Sequence, residues 1–296
     1  MSAMIVTLLM IACIIAYTCQ SFFGKLYSIS YTGNSQAATP VFSTLYGLIV
    51  GISTLALGAG FTFSASTLTW VLAIINAFVL FIYNLSIVNA SRTGPYTLQN
   101  LMAYSGSVLM TLAFSTLYWG ENLSWYQFAG IGMMILSFAL INLQNTTFVI
   151  HKKSYYLWIC LLFLSNGTYG ILMDAQQRVM QQTQRNEMII ITFLGSAVIS
   201  LVYLLFTQKG ASLRAFRMNK KPLIFLILSS VAAAAAIYML MLLLSSMTAP
   251  ILLTIQNGCI LTLSILLGHI VLHEQLTRRM VLGIGLCVAS LVLLAL

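Results

Sequence analysis

Acidic side chains are almost missing. The 296 residues hold 4 Asp and Glu against 13 Lys and Arg, so 6% of the chain is charged, where a water-soluble domain carries about 25%. That shortage excludes an ordinary soluble globule. With 60% hydrophobic residues, too little polar surface remains to clothe a body of this size in water, and hydrocarbon has to solvate its exterior. Histidine is equally scarce, at 3, and the cysteines Cys13, Cys19, Cys160, Cys259 and Cys287 lie in apolar runs without a C-x-x-C pair. No metal, no disulfide framework and no cofactor is expected; the cysteines read as small packing residues. The formal charge of +9 lacks the clustered Lys and Arg on a soluble fold that a phosphate backbone requires, which excludes a nucleic-acid partner. Met1 to Cys19 has neither the basic leader nor the cleavage site of a secretion signal and reads as the first helix.

What is present is a series of apolar runs. Ten are long enough to cross about 30 Å of hydrocarbon at about 1.5 Å per residue: 4–29, 37–59, 67–88, 95–118, 124–143, 155–175, 187–207, 222–244, 248–271 and 278–295. They do not alternate polar with apolar as barrel strands do. The expected fold is therefore all-α integral membrane with ten transmembrane helices and no soluble domain. Lys25, Arg92, Lys152, Lys153, Lys209, Arg214, Arg217, Lys220, Lys221, Arg278 and Arg279 fall at odd-numbered connections, and only Arg178 and Arg185 at even ones. The positive-inside rule then puts both termini outside a plasma membrane of bacterial type.

The chain also repeats itself. At a constant offset of 155, Ile82, Tyr83, Leu85, Ser91, Thr93 and Pro95 meet Ile237, Tyr238, Leu240, Ser246, Thr248 and Pro250. Glu121-Asn-Leu-Ser and Gly130-Ile-Gly132 correspond to Glu274-Gln-Leu-Thr and Gly283-Ile-Gly285, and Gln20, Phe23 and Gly24 to Asn166, Tyr169 and Gly170. Two copies of one five-helix unit follow, 1–145 and 150–296. Because five is odd, the copies enter the membrane from opposite sides, as inverted repeats suited to alternating access.

Those residues resemble the drug/metabolite transporter superfamily in its EamA-like ten-helix branch. The likeness rests on the duplication, on the turns Gly120-Glu121-Asn-Leu-Ser and His273-Glu274-Gln-Leu-Thr, and on the entries Ser91-x-Thr93-x-Pro95 and Ser246-x-Thr248-x-Pro250. It implies a secondary carrier of small metabolites, often an exporter of amino acids or other amphiphilic compounds. Its cavity would lie between the halves, lined by the first, third and fourth helices and their repeats. The chain departs from the family in two ways: His273 stands where Gly is usual, and both termini are expected outside.

Polar side chains inside spans usually face the interior of a bundle. The substrate-contact candidates are Gln20 and Phe23 in the first span, Tyr83 in the third, Gln99, Asn100 and Tyr104 in the fourth, Asn166 and Tyr169 in the sixth, Tyr238 in the eighth, and Gln256 and Asn257 in the ninth. The alternative for each is interhelical glue. Candidates for ion or substrate coupling are Lys25, which otherwise snorkels to the surface; Asp174, which otherwise pairs with Arg178 one turn on; and His269, near His273 and Glu274. Structural roles fall to Glu121 and Glu274 at the start of the last helix of each half, and to Pro95 and Pro250 in a first helical turn. Gly130, Gly132, Gly283 and Gly285 are assigned close backbone approach. No G-x-x-x-x-G-K-[ST] loop is present, so a solute or ion gradient must supply any energy.

The expected function is a secondary transporter of a small neutral, zwitterionic or aromatic metabolite, working as an exporter or exchanger, and not an enzyme. Its partners are the solute and the lipid bilayer, with the chain a monomer or homodimer. Two alternatives remain: a multidrug or organic-cation proton antiporter, and an intramembrane lipid-modifying enzyme.

Overall fold

A computed structural model describes residues 3–57, 63–120, 124–142, 154–180, 183–208, 216–244, 249–273 and 277–295. Among them the chain forms ten α-helices and no strand: α1 Ala3–Ser30, α2 Ser35–Leu57, α3 Thr67–Thr93, α4 Tyr96–Tyr118, α5 Trp125–Asn142, α6 Ser154–Val179, α7 Arg185–Gln208, α8 Lys220–Leu244, α9 Ala249–Ile270 and α10 Arg278–Ala295. Seven of these are long and apolar enough to cross a membrane. The expected spans are recovered with shifted ends. The largest visible extension is in α3, which runs five residues past the expected 88. There the Asn89 amide donates to Leu85 O at 2.7 Å and the Thr93 hydroxyl to Asn89 O at 2.7 Å, so polar residues that look like a stop keep their helix by bonding back to the previous turn. Pro95 then ends it, because the residue before a proline is pushed out of the helical region. Pro95 itself is the N-cap of α4, one position earlier than expected.

The helices alternate in direction, and contacts among the connections show it. At one end Asn219, before α8, donates to Thr32, after α1, at 3.3 Å, and the Tyr155 hydroxyl of α6 donates to Pro95 O at 3.1 Å. At the other end Gln184 Oε1, before α7, accepts from Ser66 N at 2.9 Å, and Arg178 lies 5.4 Å over Trp119. Odd connections thus meet odd ones, and even meet even.

Pairing runs mainly between the halves: α1 with α8, α5 with α10, α2 with α7, α4 with α6, α3 with α6 and α7, and, less extensively, α2 with α8, α1 with α9 and α4 with α9. Exchanging α1–α5 with α6–α10 carries these pairs onto themselves. The equivalent helices α2 and α7 are antiparallel, since Ser43 meets Ser200 while Gly51, two turns on, meets Leu194. Two units of opposite sense are therefore packed about a pseudo-two-fold axis.

Close approach is made by glycines other than those expected. A Cβ on Gly47 would stand 2.5 Å from Phe193 O in α7, and one on Gly106 would collide with the backbone of Phe163 in α6. Gly132 and Gly285, by contrast, face open space. Gly130 and Gly283 are buried, and Ser137 donates to Gly283 O at 2.6 Å. The tight contacts hold α2 to α7 and α4 to α6, the helices that frame the interior.

Glu121 and Glu274 lie outside the described residues, but the positions just before them are informative. Gly120 has φ of 69° and His273 has φ of 54°, so both turns enter the last helix through the left-handed region. A side chain there costs about 1 kcal/mol or more. His273→Gly is therefore expected to raise stability by about 1 kcal/mol, a thermal midpoint about 2 °C higher, read by unfolding of the purified protein. A lower midpoint would mean that the exposed His273 side chain makes a contact worth more than the backbone relief.

Candidate functional site

α1, α2, α3, α4 and α6 converge on a group of tyrosines. Tyr17 stands within electrostatic reach of Tyr46, Tyr104 and Tyr169, Tyr46 of Tyr83, Tyr104 and Tyr169, and Tyr83 of Tyr104 and Tyr169. All but Tyr46 are partly exposed. Gln20 Nε2 donates to the Tyr46 hydroxyl at 2.7 Å, and its Oε1 is buried with no partner among the described residues. Asn166 Nδ2 donates to Ala103 O at 2.7 Å. The result is a ring of phenols and amides, groups that both donate and accept hydrogen bonds, set around rings that present an apolar or cation-attracting face.

One end of this ring is sealed by a floor. Ser21 donates to Asn100 Oδ1 at 2.8 Å and accepts from the Tyr96 hydroxyl at 3.1 Å, and Tyr104 also points at Ser21. Ser91 donates to Gln99 Oε1 at 2.7 Å. Lys25 donates to Ser91 O at 2.6 Å and Gly94 O at 2.8 Å, and the residue is only 6% exposed. Just past α1, burial pushes the Tyr31 phenol up from its ordinary value, with Arg92 pulling it the other way. The opposite end is looser. Every side chain from Ser107 to Leu112 in α4 and from Thr168 to Ala175 in α6 is partly exposed.

The expected residues therefore divide. Gln20, Tyr83, Tyr104, Asn166 and Tyr169 come together in the ring. Asn100 and Gln99 are buried in the floor, with Gln99 tying α4 to the end of α3. Phe23 instead stacks on Phe225 of α8 at 6.3 Å. Lys25 does not snorkel; it is held inside. Tyr238 does not join the ring: it is 42% exposed and shares an outward stripe of α8 with Val231 and Leu242. The reason is a rotation. In α3 Ile82 is exposed at 38% and Tyr83 half-buried, whereas in α8 Ile237 is buried at 8% and Tyr238 exposed, a turn of about one residue, or about 100°.

Gln256 and Asn257 are buried in α9, and Gln256 Oε1 has no partner among the described residues. Pro250 is the second residue of α9, with its side chain outside the description. Asp174 pairs with Arg178 at 2.9 Å, and the other described carboxylate, Glu187, accepts from Ser64 N at 3.3 Å. His269 and His273 are exposed. Among the described residues no three His, Cys, Asp or Glu side chains are grouped as metal ligands. Tyr17, Tyr46 and Ser21 were not singled out by the sequence. Tyr17 lies one turn before Gln20, and Ser21 one turn after Tyr17, a usable signal; Tyr46 has none, since α2 offered no repeated polar residue.

The model of the EamA-like transporter family matches residues 153–296, which are α6 to α10 and the residue before them. Residues 153–296 thus match a family that belongs to the drug/metabolite transporter superfamily. The match falls on the half that carries His273. A crystal structure of a protein, among 27 solved chains that match, is similar to this chain over 99% of its length and 96% of that chain, at 15% identity and a TM-score of 0.64. At that identity the likeness speaks for the fold alone. No curated protein matches. EamA-like members are membrane transporters of the drug/metabolite type, and the several apolar helices of this chain accord with a multi-pass membrane protein.

Proposed function

We propose that this protein is a secondary carrier that moves a small neutral, zwitterionic or aromatic metabolite by alternating access, as an exporter or exchanger. The observation that carries this reading is the ring of Tyr17, Tyr46, Tyr83, Tyr104 and Tyr169, closed at one end by the Ser21, Asn100 and Tyr96 floor. Phenols and amides without a facing carboxylate suit a solute that brings both donors and acceptors and an apolar or aromatic body. The two described carboxylates are engaged elsewhere, which favours this reading over proton antiport of a cation through a buried acid.

Two inverted units give the motion its form. Each can adopt the other's conformation, and the exchange moves the opening from one end of the ring to the other. By the charge rule the floor lies on the cytoplasmic side of the plasma membrane and both termini outside. The carrier acts in the lipid bilayer as a monomer or homodimer.

The test has two stages. Amino acids, nucleosides, amines and vitamins are screened by thermal shift of the purified protein; a solute held at about a hundred times its Kd stabilises by about 2.7 kcal/mol. The solutes that stabilise are then followed for counterflow in proteoliposomes. Counterflow of at least one supports the proposal, and stabilising solutes that never cross the membrane would overturn it.

A further inference from the structure

Lys25 occupies an unusual place for a cation in a membrane helix. Lys220 and Lys221 are exposed, as long amphipathic side chains at a span end usually are. The Lys25 ammonium instead lies buried between α1 and the junction of α3 with α4, on two carbonyl oxygens 2.6 and 2.8 Å away. Ser91 O belongs to the last turn of α3, where unsatisfied carbonyls and the negative end of the helix dipole attract a cation. Gly94 O follows, directly before Pro95. Charge-assisted bonds this short are strong in a setting shielded from water.

The ammonium is also positioned to act on the floor. Lys25 is one turn beyond Ser21 in α1, and Ser91, whose carbonyl it holds, donates through its hydroxyl to Gln99 at the start of α4. Asn100, the next residue, accepts from Ser21. Three helices are thereby joined at one end of the ring by a single cation and two serines. The repeat lacks this arrangement: at the offset that pairs Gln20 with Asn166, Lys25 falls opposite Ile171 and Ser21 opposite Gly167.

We propose that Lys25 is a positioning residue that latches the floor closed, and that its ammonium leaves Ser91 O and Gly94 O when the Lys25 end of the carrier opens. The inference rests on the alternating-access reading. It deepens that reading by making the two gates chemically unlike: one end is held by a cation on helix carbonyls, the other has Ile171 at the matching position. Loss of the cation shifts the resting population toward the state open at the Lys25 end, whereas a static helix cap would change stability without changing the population.

The experiment measures distance across the latched end. With the five native cysteines replaced, Ile29→Cys in α1 and Tyr156→Cys in α6, both exposed, carry spin labels in protein reconstituted into nanodiscs. The expected result is one dominant distance in the otherwise wild-type protein, with a longer population in Lys25→Met enriched at least about tenfold, the loss of about 1.4 kcal/mol of bias; Lys25→Arg keeps the wild-type distribution. If Lys25→Met is not recovered folded, Lys25→Gln, which retains an amide donor, is expected to show a smaller shift in the same direction. Distances in Lys25→Met or Lys25→Gln equal to wild type, with only a lower thermal midpoint, overturn the latch and leave a static cap. Failure of the carrier reading is separate, since it shows as absence of counterflow in wild-type proteoliposomes whatever the distances do.

Discussion

Tyr83→Ala and Asn166→Ala are each expected to abolish counterflow in proteoliposomes while folded protein is still recovered. Tyr83 sits at the margin of a packed cluster formed by α1, α2, α3, α4, α6, α7 and α8, half-buried, so removing its ring leaves most of that core intact. What it loses is the phenol at the centre of the ring, beside Tyr46, Tyr104 and Tyr169. A hydrogen bond to a neutral solute contributes about 1 kcal/mol and one to a charged group about 2, so Tyr83→Phe should slow transport about tenfold, with the alanine variant at background. Asn166 acts from α6. Its amide nitrogen is held by Ala103 O of α4, which orients the amide and joins the two helices whose second halves are partly exposed. The measurement is the initial rate for a solute that stabilises the wild-type protein. Wild-type rates in both variants would remove the tyrosine ring from the solute path.

The second large effect concerns packing. Gly106→Val is expected to destabilise the protein by about 3 kcal/mol, at the upper end of what overpacking costs. A Cβ at this position meets the backbone of Phe163, carbonyl included, and no rotamer change can move a carbonyl away. Relief would need α4 and α6 to separate, breaking the Asn166 to Ala103 bond one turn away. Gly132→Val is the control, because a Cβ there meets nothing within 4 Å. Thermal unfolding of the two variants in the same detergent gives the comparison, and equal midpoints would show that α4 and α6 are not held at the distance described.

The helices were legible because nearly every run of about 20 apolar residues is separated from the next by polar residues or Gly and Pro, and a bilayer leaves such runs no other conformation. Ends were less so. Asn89, Ser91 and Thr93 look like loop residues, yet two of them bond back onto their own helix and the third is buried in the floor. For the candidate site, polarity inside a span pointed to Gln20, Tyr83, Tyr104, Asn166 and Tyr169, which lie around the ring, since a group that needs a hydrogen-bond partner cannot face lipid cheaply. It failed for Tyr238, because a repeat fixes which helices correspond but not the rotation of each about its own axis. It also passed over Tyr46: among 14 tyrosines, only packing shows which of them gather at one place in the bundle. Glycine spacing misled for a related reason. Gly132 and Gly285 repeat in register, while the contact glycines Gly47 and Gly106 are set by which helices happen to cross there.

The pairing of α5 with α10 has a different consequence. These last helices of the two halves lie chiefly against each other, with lesser contact to α9 and α4, and Ile135, Leu136, Val281 and Leu282 point outward from them. None of the ring or floor side chains comes from either helix. The pair forms a keel beside the ring and contributes no side chain to it, so a label, fusion or binding protein mounted there is expected to leave solute binding as it is in the unmodified protein.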